Sequence, residues 1–310
     1  MNRVSTSSNY AAVLANLQAA QQRQMQAGAQ VSSQKRGDDL KSYARNAEML
    51  TAMRSVQVRA AGHLEQNTMV ADKLATQDSA LGQVADAAQG AREAIAEALA
   101  SGRADTLVED MEAQLRNAVE GLNARYGGKY LFAGGQIDTK PATATSLSDL
   151  TAPATTIADF FKNDQFIVTN KIDEGNTVAT GVLADAVGAG MLTAFKAFQT
   201  EEQTGSGPFN GPLTTAQRTF LEGQLAAWDQ AHQGVINIAG RNGLVQRRVE
   251  TVKEDITSRQ TLLKEMVGGI TDVDMAEAAT NLEAAGISVQ AAAQVFMSLQ
   301  QSSLLNLLKG

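Results

Sequence analysis

Residues 274–308 read DMAEAATNLEAAGISVQAAAQVFMSLQQSSLLNLL, and this stretch decides the fold of the chain. Apolar residues recur in it at alternating steps of three and four, which is the spacing of the contact face of a coiled-coil helix. The pattern therefore predicts a helix that packs along a partner helix. We call the apolar positions the C-terminal seam: Met275, Ala278, Leu282, Ala285, Val289, Ala292, Phe296 and Leu299, followed by Leu304 and Leu307.

The same stretch carries almost no charge. After Glu283 the sequence contains no acidic residue, and Lys309 is the only basic one. A helix that is solvated on its own normally carries charged residues on its outer face. We therefore expect this helix to be covered on more than one side, in part by another chain.

The N-terminal segment, about residues 10–35, has the same two properties. No acidic residue precedes Asp38, and apolar residues follow the three-four spacing with Gln24 as the one polar interruption. Two such helices at opposite ends of a chain are expected to pair with each other and then to pack among neighbouring subunits. A hairpin within one chain is the alternative. The N-terminal seam consists of Tyr10, Val13, Leu17, Ala20, Ala27 and Val31.

Long helices are predicted inward from both ends. Residues 41–126 are periodic and free of proline, with a break expected at Ser101-Gly102. A second long helix is expected to begin near Thr215 and to end at Gly268-Gly269. Asp272 and Asp274 then precede the C-terminal helix, where we expect them to cap it and not to bind a cation.

The middle of the chain is different in character. All four prolines lie between residues 141 and 212. Residues 165–170 and 177–183 are predicted strands joined by a turn at residues 173–176, and a short helix is expected over residues 191–202. Residues 136–185 are thus interpreted as a small β-containing insert.

These patterns together predict a mainly α fold with paired terminal coiled-coil helices, a long helical bundle and a small β-containing insert in the middle of the chain. The rarity of aromatic residues, 5% of the total, favours thin seams of small residues over one thick core. The predicted division is a terminal helical domain of residues 1–40 and 270–310, a helical bundle of residues 41–135 and 186–269, and an insert of residues 136–185.

Composition excludes several classes of function. The formal net charge is -7, and no basic stripe is present that could bind nucleic acid. Cysteine is absent, so disulfides and thiol chemistry are excluded. No run approaches the roughly 18 apolar residues of a membrane span, and the N-terminus lacks the apolar core of a secretory signal. We therefore predict no nucleic-acid binding, no membrane insertion, and export, if it occurs, without a cleaved signal peptide.

Catalytic chemistry has little support in the sequence. His63 and His232 are the only histidines, and neither has a second histidine nearby. A metal site needs three or four convergent ligands, and no Ser, His and Asp grouping is evident. We therefore predict no metal, no cofactor and no enzymatic activity. Trp228, Phe195 and Phe198 are interpreted as core residues.

Several landmarks resemble the bacterial flagellin superfamily over nearly the whole chain. Residues 31–36, VSSQKR, resemble the STG-KR turn of that superfamily, with Gln34 in place of the usual glycine. Residues 239–244, AGRNGL, resemble a second turn motif. Residues 270–308 resemble the superfamily's C-terminal helix, which is the most specific of the three similarities.

Two further features are similar to the hook-associated protein 3 type within that superfamily. Residues 128–134, GKYLFAG, resemble the start of its β domain, with Tyr130, Phe132 and Gly134 in the motif. Residues 173–178, DEGNTV, and the helix that follows them resemble its middle domain. The insert is short for the family.

This resemblance implies a structural protein. Such proteins are exported unfolded through the flagellar type III channel with a dedicated export chaperone, and they are extracellular components of the flagellum. They assemble as a homo-oligomeric ring between a neighbouring hook-associated protein and the filament flagellin. A filament-forming flagellin is the main alternative. A carbohydrate-binding surface adhesin is a third interpretation, with less support.

Overall fold

The structure, a computed structural model, describes the backbone of residues 3–308 and the side chains of residues 8–301. The chain is 73% helical, which confirms the mainly α prediction. Within the described residues there are seven α-helices: α1 Arg3–Ser33, α2 Ala47–Ser101, α3 Leu107–Leu122, α4 Leu147–Leu150, α5 Ala184–Thr204, α6 Thr215–Thr271 and α7 Met275–Leu308.

The only strands in the described residues form two small antiparallel pairs in the middle of the chain. Strands β1 (Arg125–Tyr126) and β2 (Lys129–Tyr130) pair across Gly127-Gly128, where both glycines have positive φ. Strands β3 (Thr169–Lys171) and β4 (Thr177–Ala179) form the second hairpin. These two hairpins confirm the prediction of a mainly α fold with a small β-containing insert in the middle of the chain.

Two compact units divide the chain. The terminal unit comprises Met1–Ala60 and Ser258–Gly310, and the central unit comprises Ala61–Thr257. The division into three domains with boundaries at 40, 135, 185 and 270 stays a prediction.

The central unit has the larger apolar core. Trp228 is fully buried, and its ring meets that of Phe195 edge to face with centroids 4.6 Å apart. Phe198 is also fully buried and stacks on Phe209. These aromatic side chains are core residues, as the sequence predicts.

The predicted break at Ser101-Gly102 is confirmed. Helix α2 ends at Ser101, and Gly102 adopts a φ of +71°, a conformation that costs a residue with a Cβ atom about 1–2 kcal/mol. Helix α3 then begins at Leu107. It packs so closely on α2 that a Cβ atom at Gly121 would lie 2.7 Å from Val84 Cγ2.

The strands of the second hairpin are shorter than predicted. Their register pairs Asn170 with Val178, and the ladder ends where the amides of Thr180 and Gly181 both donate to the carbonyl of Val168. Residues before this point do not continue the ladder. The Asp164 carboxylate instead accepts from the Gly135 and Phe166 amides, at 2.8 and 2.9 Å.

Helix α5 begins at Ala184, seven residues earlier than residue 191, the predicted start. Gly188 lies in this added part. A Cβ atom there would lie 2.7 Å from Leu122 Cδ1, so this glycine allows close packing of α5 on α3 and does not end the helix.

The predicted end of the second long helix at Gly268-Gly269 is wrong. Helix α6 continues through both glycines to Thr271. A glycine inside a helix costs about 1 kcal/mol relative to alanine, which is too little to stop a helix that is held at its end by other contacts. Those contacts lie at Thr271 and Asp272, as described below.

Candidate functional site: the paired terminal helices

Helices α1 and α7 pack antiparallel in the terminal unit. Near their outer ends, the rings of Tyr10 and Phe296 have centroids 5.1 Å apart. Further along, a Cβ atom at Gly28 would lie 3.9 Å from Leu282 Cδ1, which is ordinary van der Waals contact. The structure thus pairs the two seams within one chain.

The seam residues whose side chains are described differ in burial. Ala20, Ala27, Ala278 and Ala285 are buried. Tyr10 and Met275 are more exposed, at 38% and 41%. The remaining described seam residues are half-buried: Val13, Leu17, Val31, Leu282, Val289, Ala292, Phe296 and Leu299.

Leu304 and Leu307 belong to the C-terminal seam, but their side chains lie outside the described residues. The role of all the seam residues in packing between subunits stays a prediction.

Large apolar side chains also lie on the faces of the hairpin that point away from the seam. Three on α7, Ile287, Val295 and Met297, are 61%, 51% and 54% exposed. On α1, Leu14 is 38% exposed and Met25 is 67% exposed. Val295 and Met297 are two positions apart and so lie on opposite sides of α7, so the five residues are spread around the hairpin; together we call them the outer apolar face. Exposed apolar side chains grouped on one element mark interaction sites more often than isolated ones do.

Helix α7 is unusually apolar for a helix with so little cover. Over its most apolar 18 residues, within Met275–Gln301, the mean hydropathy is 1.2 and only 6% of the residues are buried. By length and composition alone, it is the one described helix that could cross a membrane. A helix that is covered by a partner protein would have the same length and composition. The absence of membrane insertion stays a prediction.

A backbone joint closes the inner end of the hairpin. The Arg36 amide donates to the Thr271 carbonyl at 2.8 Å, and the Val273 amide donates to the Gln34 carbonyl at 3.1 Å. Tyr43, which is buried, donates its hydroxyl to the Gly37 carbonyl at 2.6 Å. The joint therefore holds the segment just after α1 beside the segment just before α7.

Side chains add a charged contact to this joint. Lys35 forms an ion pair and hydrogen bond with Asp272, and Arg36 Nε donates to the Asp272 carbonyl at 2.9 Å. The hydrogen bond from Lys35, with a second from Thr271, holds the pKa of Asp272 below its ordinary value. Since the pKa is lowered on folding, this contribution is present above about pH 4 and is lost as the pH falls through the lowered pKa.

The two aspartates before α7 have different roles. Asp274 accepts from the amides of Ala276 and Glu277, at 2.8 and 3.3 Å, so the predicted cap is confirmed for this residue. Asp272 does not cap α7 and instead pairs with Lys35.

Gln34 is strained at this joint. Its φ is +58°, the left-handed conformation that glycine adopts without cost. We expect Gln34→Gly to raise the free energy of unfolding by about 0.5–1 kcal/mol, because relief of strain exceeds the added chain entropy. Urea denaturation followed by circular dichroism measures the change.

The matched control is Ser33→Gly, one residue earlier and still helical, which we expect to destabilise by about 0.5–1 kcal/mol. A destabilising effect of Gln34→Gly comparable with that of the control would contradict the strain at position 34.

The motif of residues 239–244 places a polar clamp in the central unit. Asn242 is buried; its Nδ2 donates to the Leu74 carbonyl at 3.0 Å and to Asp78 Oδ1 at 3.3 Å. Its Oδ1 accepts from Gln77 Nε2 at 3.0 Å. The motif therefore joins α6 to α2, and the sequence alone did not identify Gln77 as its partner.

We expect Asn242→Ala to lower the free energy of unfolding by about 2–3 kcal/mol, since Gln77 Nε2 loses a buried acceptor. Thermal and urea unfolding of the two proteins test this. The neighbouring exposed change Arg241→Ala serves as control and should alter stability by less than about 0.5 kcal/mol.

Residues at the start of the insert have structural positions. Phe132 is fully buried. The guanidinium carbon of Arg125 lies over the ring of Tyr130, 4.1 Å from the centroid of that ring. Gly134 has a φ of +67°, and the side chain of Asp164 occupies the space that a Cβ atom would need. These residues shape the turn that leads into the insert.

No three side chains of histidine, aspartate or glutamate converge as a possible metal site among the residues that the structure describes. The prominent features of the described chain are instead a long helical hairpin with exposed apolar side chains and, in the central unit, a buried core. This combination is typical of a structural protein that makes contacts through its ends.

The comparisons with known proteins agree with that class. The bacterial flagellin N-terminal helical region matches residues 4–136, and the bacterial flagellin C-terminal helical region matches residues 225–308. The chain belongs to the bacterial flagellin superfamily, and its role is structural, in the flagellum.

Two solved structures have the same fold. A protein assigned as a flagellar hook-associated protein from Vibrio parahaemolyticus is 13% identical, with a TM-score of 0.60 over 74% of this chain and 100% of that one. FlgL from Bacillus cereus is 15% identical, with a TM-score of 0.53 over 71% of this chain and 99% of that one. No sequence among curated proteins gives a significant match.

Proposed function

We propose that this protein joins the flagellar hook to the filament by assembling into a ring through its terminal helices. The main observation that supports the proposal is the outer apolar face of the hairpin that α1 and α7 form. The paired seams already cover each other, so the exposed Ile287, Val295 and Met25 need a further partner. Neighbouring copies of the same hairpin supply a partner that also exposes apolar side chains and has few charged residues.

The choice of a junction protein over a filament subunit is supported by two findings. Residues 128–134 resemble the hook-associated type, and of the two solved structures described above, one is of a protein assigned as a flagellar hook-associated protein and the other is of FlgL. This proposal implies four partners: further copies of this chain, a neighbouring hook-associated protein, filament flagellin and an export chaperone. Export would proceed without a cleaved signal peptide, to the outside of the cell.

Deletion of the gene tests the proposal. We expect the mutant cells to keep their hooks but to release unpolymerised filament subunits into the medium, because the filament has no attachment site. Electron microscopy and analysis of the culture medium give the two readouts. Cells that retain normal filaments would contradict the proposal.

A filament-forming role predicts a different result with the purified chain. Seeded with its own fragments, a filament flagellin would grow into long filaments, whereas a junction protein would stop at a short ring. Electron microscopy separates the two.

The adhesin interpretation has little structural support. Of the insert's phenylalanines, Phe160 and Phe161 pack against the central core, and Phe166 is 60% exposed. One exposed aromatic ring does not form a stacking platform for a sugar chain. Specific binding on a glycan array would favour the adhesin.

A further inference from the structure

The loop between α5 and α6 contains one of the two Asn-Gly pairs of the sequence, Asn210-Gly211, and the other pair, Asn242-Gly243, lies inside α6. In such a pair the backbone nitrogen of glycine can attack the side-chain amide carbon of asparagine, because glycine has no Cβ atom to hinder the approach. The attack requires freedom of the asparagine side chain and of the glycine backbone. The two pairs of this chain differ in both respects.

Asn210-Gly211 is the free pair. The Asn210 side chain is exposed and forms no hydrogen bond with another described residue. Gly211 lies outside the helices and strands with a φ of +70°, and a Cβ atom built on it would meet nothing within 4 Å. Both reacting groups therefore have room to approach each other, and water can reach them.

The Gly211 amide faces a carboxylate. The pKa of Asp105 lies below its ordinary value, first because the Arg103 side chain donates a hydrogen bond to it and further because the Gly211 amide does. The Asp105 side chain is exposed and belongs to the loop between α2 and α3. A carboxylate in this position can accept the proton that the glycine nitrogen loses when it attacks.

Asn242-Gly243 is the held pair. Asn242 is 3% exposed, and its side chain donates to the Leu74 carbonyl and accepts from Gln77. Gly243 lies in the interior of α6, where helical hydrogen bonding holds the backbone. Attack at this pair requires the loss of buried hydrogen bonds, so we expect it to be at least about tenfold slower than at Asn210.

We propose that Asn210 is a site of spontaneous deamidation. The Gly211 nitrogen forms a bond to Asn210 Cγ, the Cγ–Nδ2 bond breaks, and ammonia leaves with the proton of the glycine amide. Water then opens the cyclic imide at either of its two carbonyl groups, which gives aspartate or isoaspartate at position 210. This modification does not depend on the junction role.

Isoaspartate adds one carbon atom to the backbone between two fixed points. Phe209, just before it, is 3% exposed and stacks on Phe198. The Gly211 carbonyl, just after it, accepts from the Ala104 amide at 2.9 Å. The longer backbone shifts one of these contacts. We expect the Gly211–Ala104 hydrogen bond to be lost, because one hydrogen bond contributes less than the burial of an aromatic ring.

Peptide mass spectrometry of the full chain, incubated at 37 °C and about pH 8, tests the proposal. Trypsin releases residues 197–218, in which Asn210 is the only asparagine, and residues 242–247, which contain Asn242. A mass gain of about 1 Da reports conversion, and an isoaspartyl methyltransferase identifies the isoaspartate product. We expect conversion at Asn210 to be at least about tenfold faster than at Asn242.

Urea provides the control for the fold. In the unfolded chain both asparagines are followed by an unrestrained glycine, so the two sites should convert at similar rates. No conversion at Asn210, or equal rates at the two sites in the folded chain, would overturn the proposal.

Asn210→Gln is the matched variant. It keeps an exposed amide, but its longer side chain would have to close a six-membered ring, so we expect conversion to be at least about tenfold slower. Freshly purified variant and unaltered protein should unfold at the same temperature. Hydrogen exchange at Ala104 should accelerate in the aged unaltered chain and not in the aged variant. Unchanged exchange at Ala104 in a converted chain would contradict the loss of its contact with Gly211.

Discussion

Replacing both Ile287 and Val295 by aspartate is expected to abolish incorporation of the chain into the flagellum while leaving the monomer folded. Both side chains are more than half exposed on α7, so the carboxylates remain solvated in the free chain. In an assembly that covers this face they would be buried without cationic partners. Each buried charge costs several kcal/mol, so the two together should weaken association by at least about 10⁴-fold.

The measurement is complementation of a deletion strain. We expect the aspartate variant to be secreted but not to be incorporated at the hook, so that the cells remain non-motile. Circular dichroism of the purified variant should show the helix content of the unaltered protein. Motile cells with the variant at the hook would contradict a covered outer face.

The matched control replaces the same two residues by alanine. This change removes apolar area but adds no charge, and alanine favours helices. We expect incorporation to be retained, at a reduced level. A control as defective as the aspartate variant would assign the effect to lost packing and not to charge burial.

The terminal pairing could be predicted because its signal is local and occurs twice. Both ends of the chain share the three-four spacing, and both have a long segment without acidic residues, before Asp38 and after Glu283. These are properties of each segment alone. The spacing does not separate contacts within a chain from contacts between chains, because the same seam serves either. In the described part of this single chain the two seams contact each other, and apolar residues such as Ile287 and Met25 remain exposed; packing of the seams between subunits stays a prediction.

Local residue types gave the wrong end of α6. Gly268 and Gly269 are a typical break, yet the helix ends at Thr271, where Arg36 and Lys35 contact it from a segment more than 230 residues away. Such contacts decide the boundary because they outweigh the small cost of a helical glycine.

The buried hydrogen bond between Gln77 and Asn242 could not be predicted from the sequence for the same reason. It joins two residues that are 165 positions apart in the chain. The motif at residues 239–244 marked Asn242 as notable but carried no information about its partner. Only the fold brings the two amides together.

Replacing Trp228 by alanine is expected to lower the free energy of unfolding of the central unit by about 3–5 kcal/mol. The side chain is fully buried and its ring meets Phe195 edge to face, so truncation removes both apolar burial and an aromatic pair. A loss of this size is a large share of the 5–15 kcal/mol that stabilises a typical domain. We therefore expect partial unfolding of this variant at 37 °C.

Trp228→Phe is the matched control, because it keeps an aromatic ring beside Phe195 and removes Nε1, which is buried without a hydrogen-bond partner among the described residues. It should cost less than half as much as alanine, since the loss of apolar volume is offset by the removal of an unsatisfied donor. Trp228 is the only tryptophan, so fluorescence follows unfolding in the unaltered protein alone, and circular dichroism in urea compares all three. Hydrogen exchange in Trp228→Ala should accelerate across residues 61–257. A cost below about 1 kcal/mol would show that the core around Phe195 closes over the lost ring, contrary to the close packing described above.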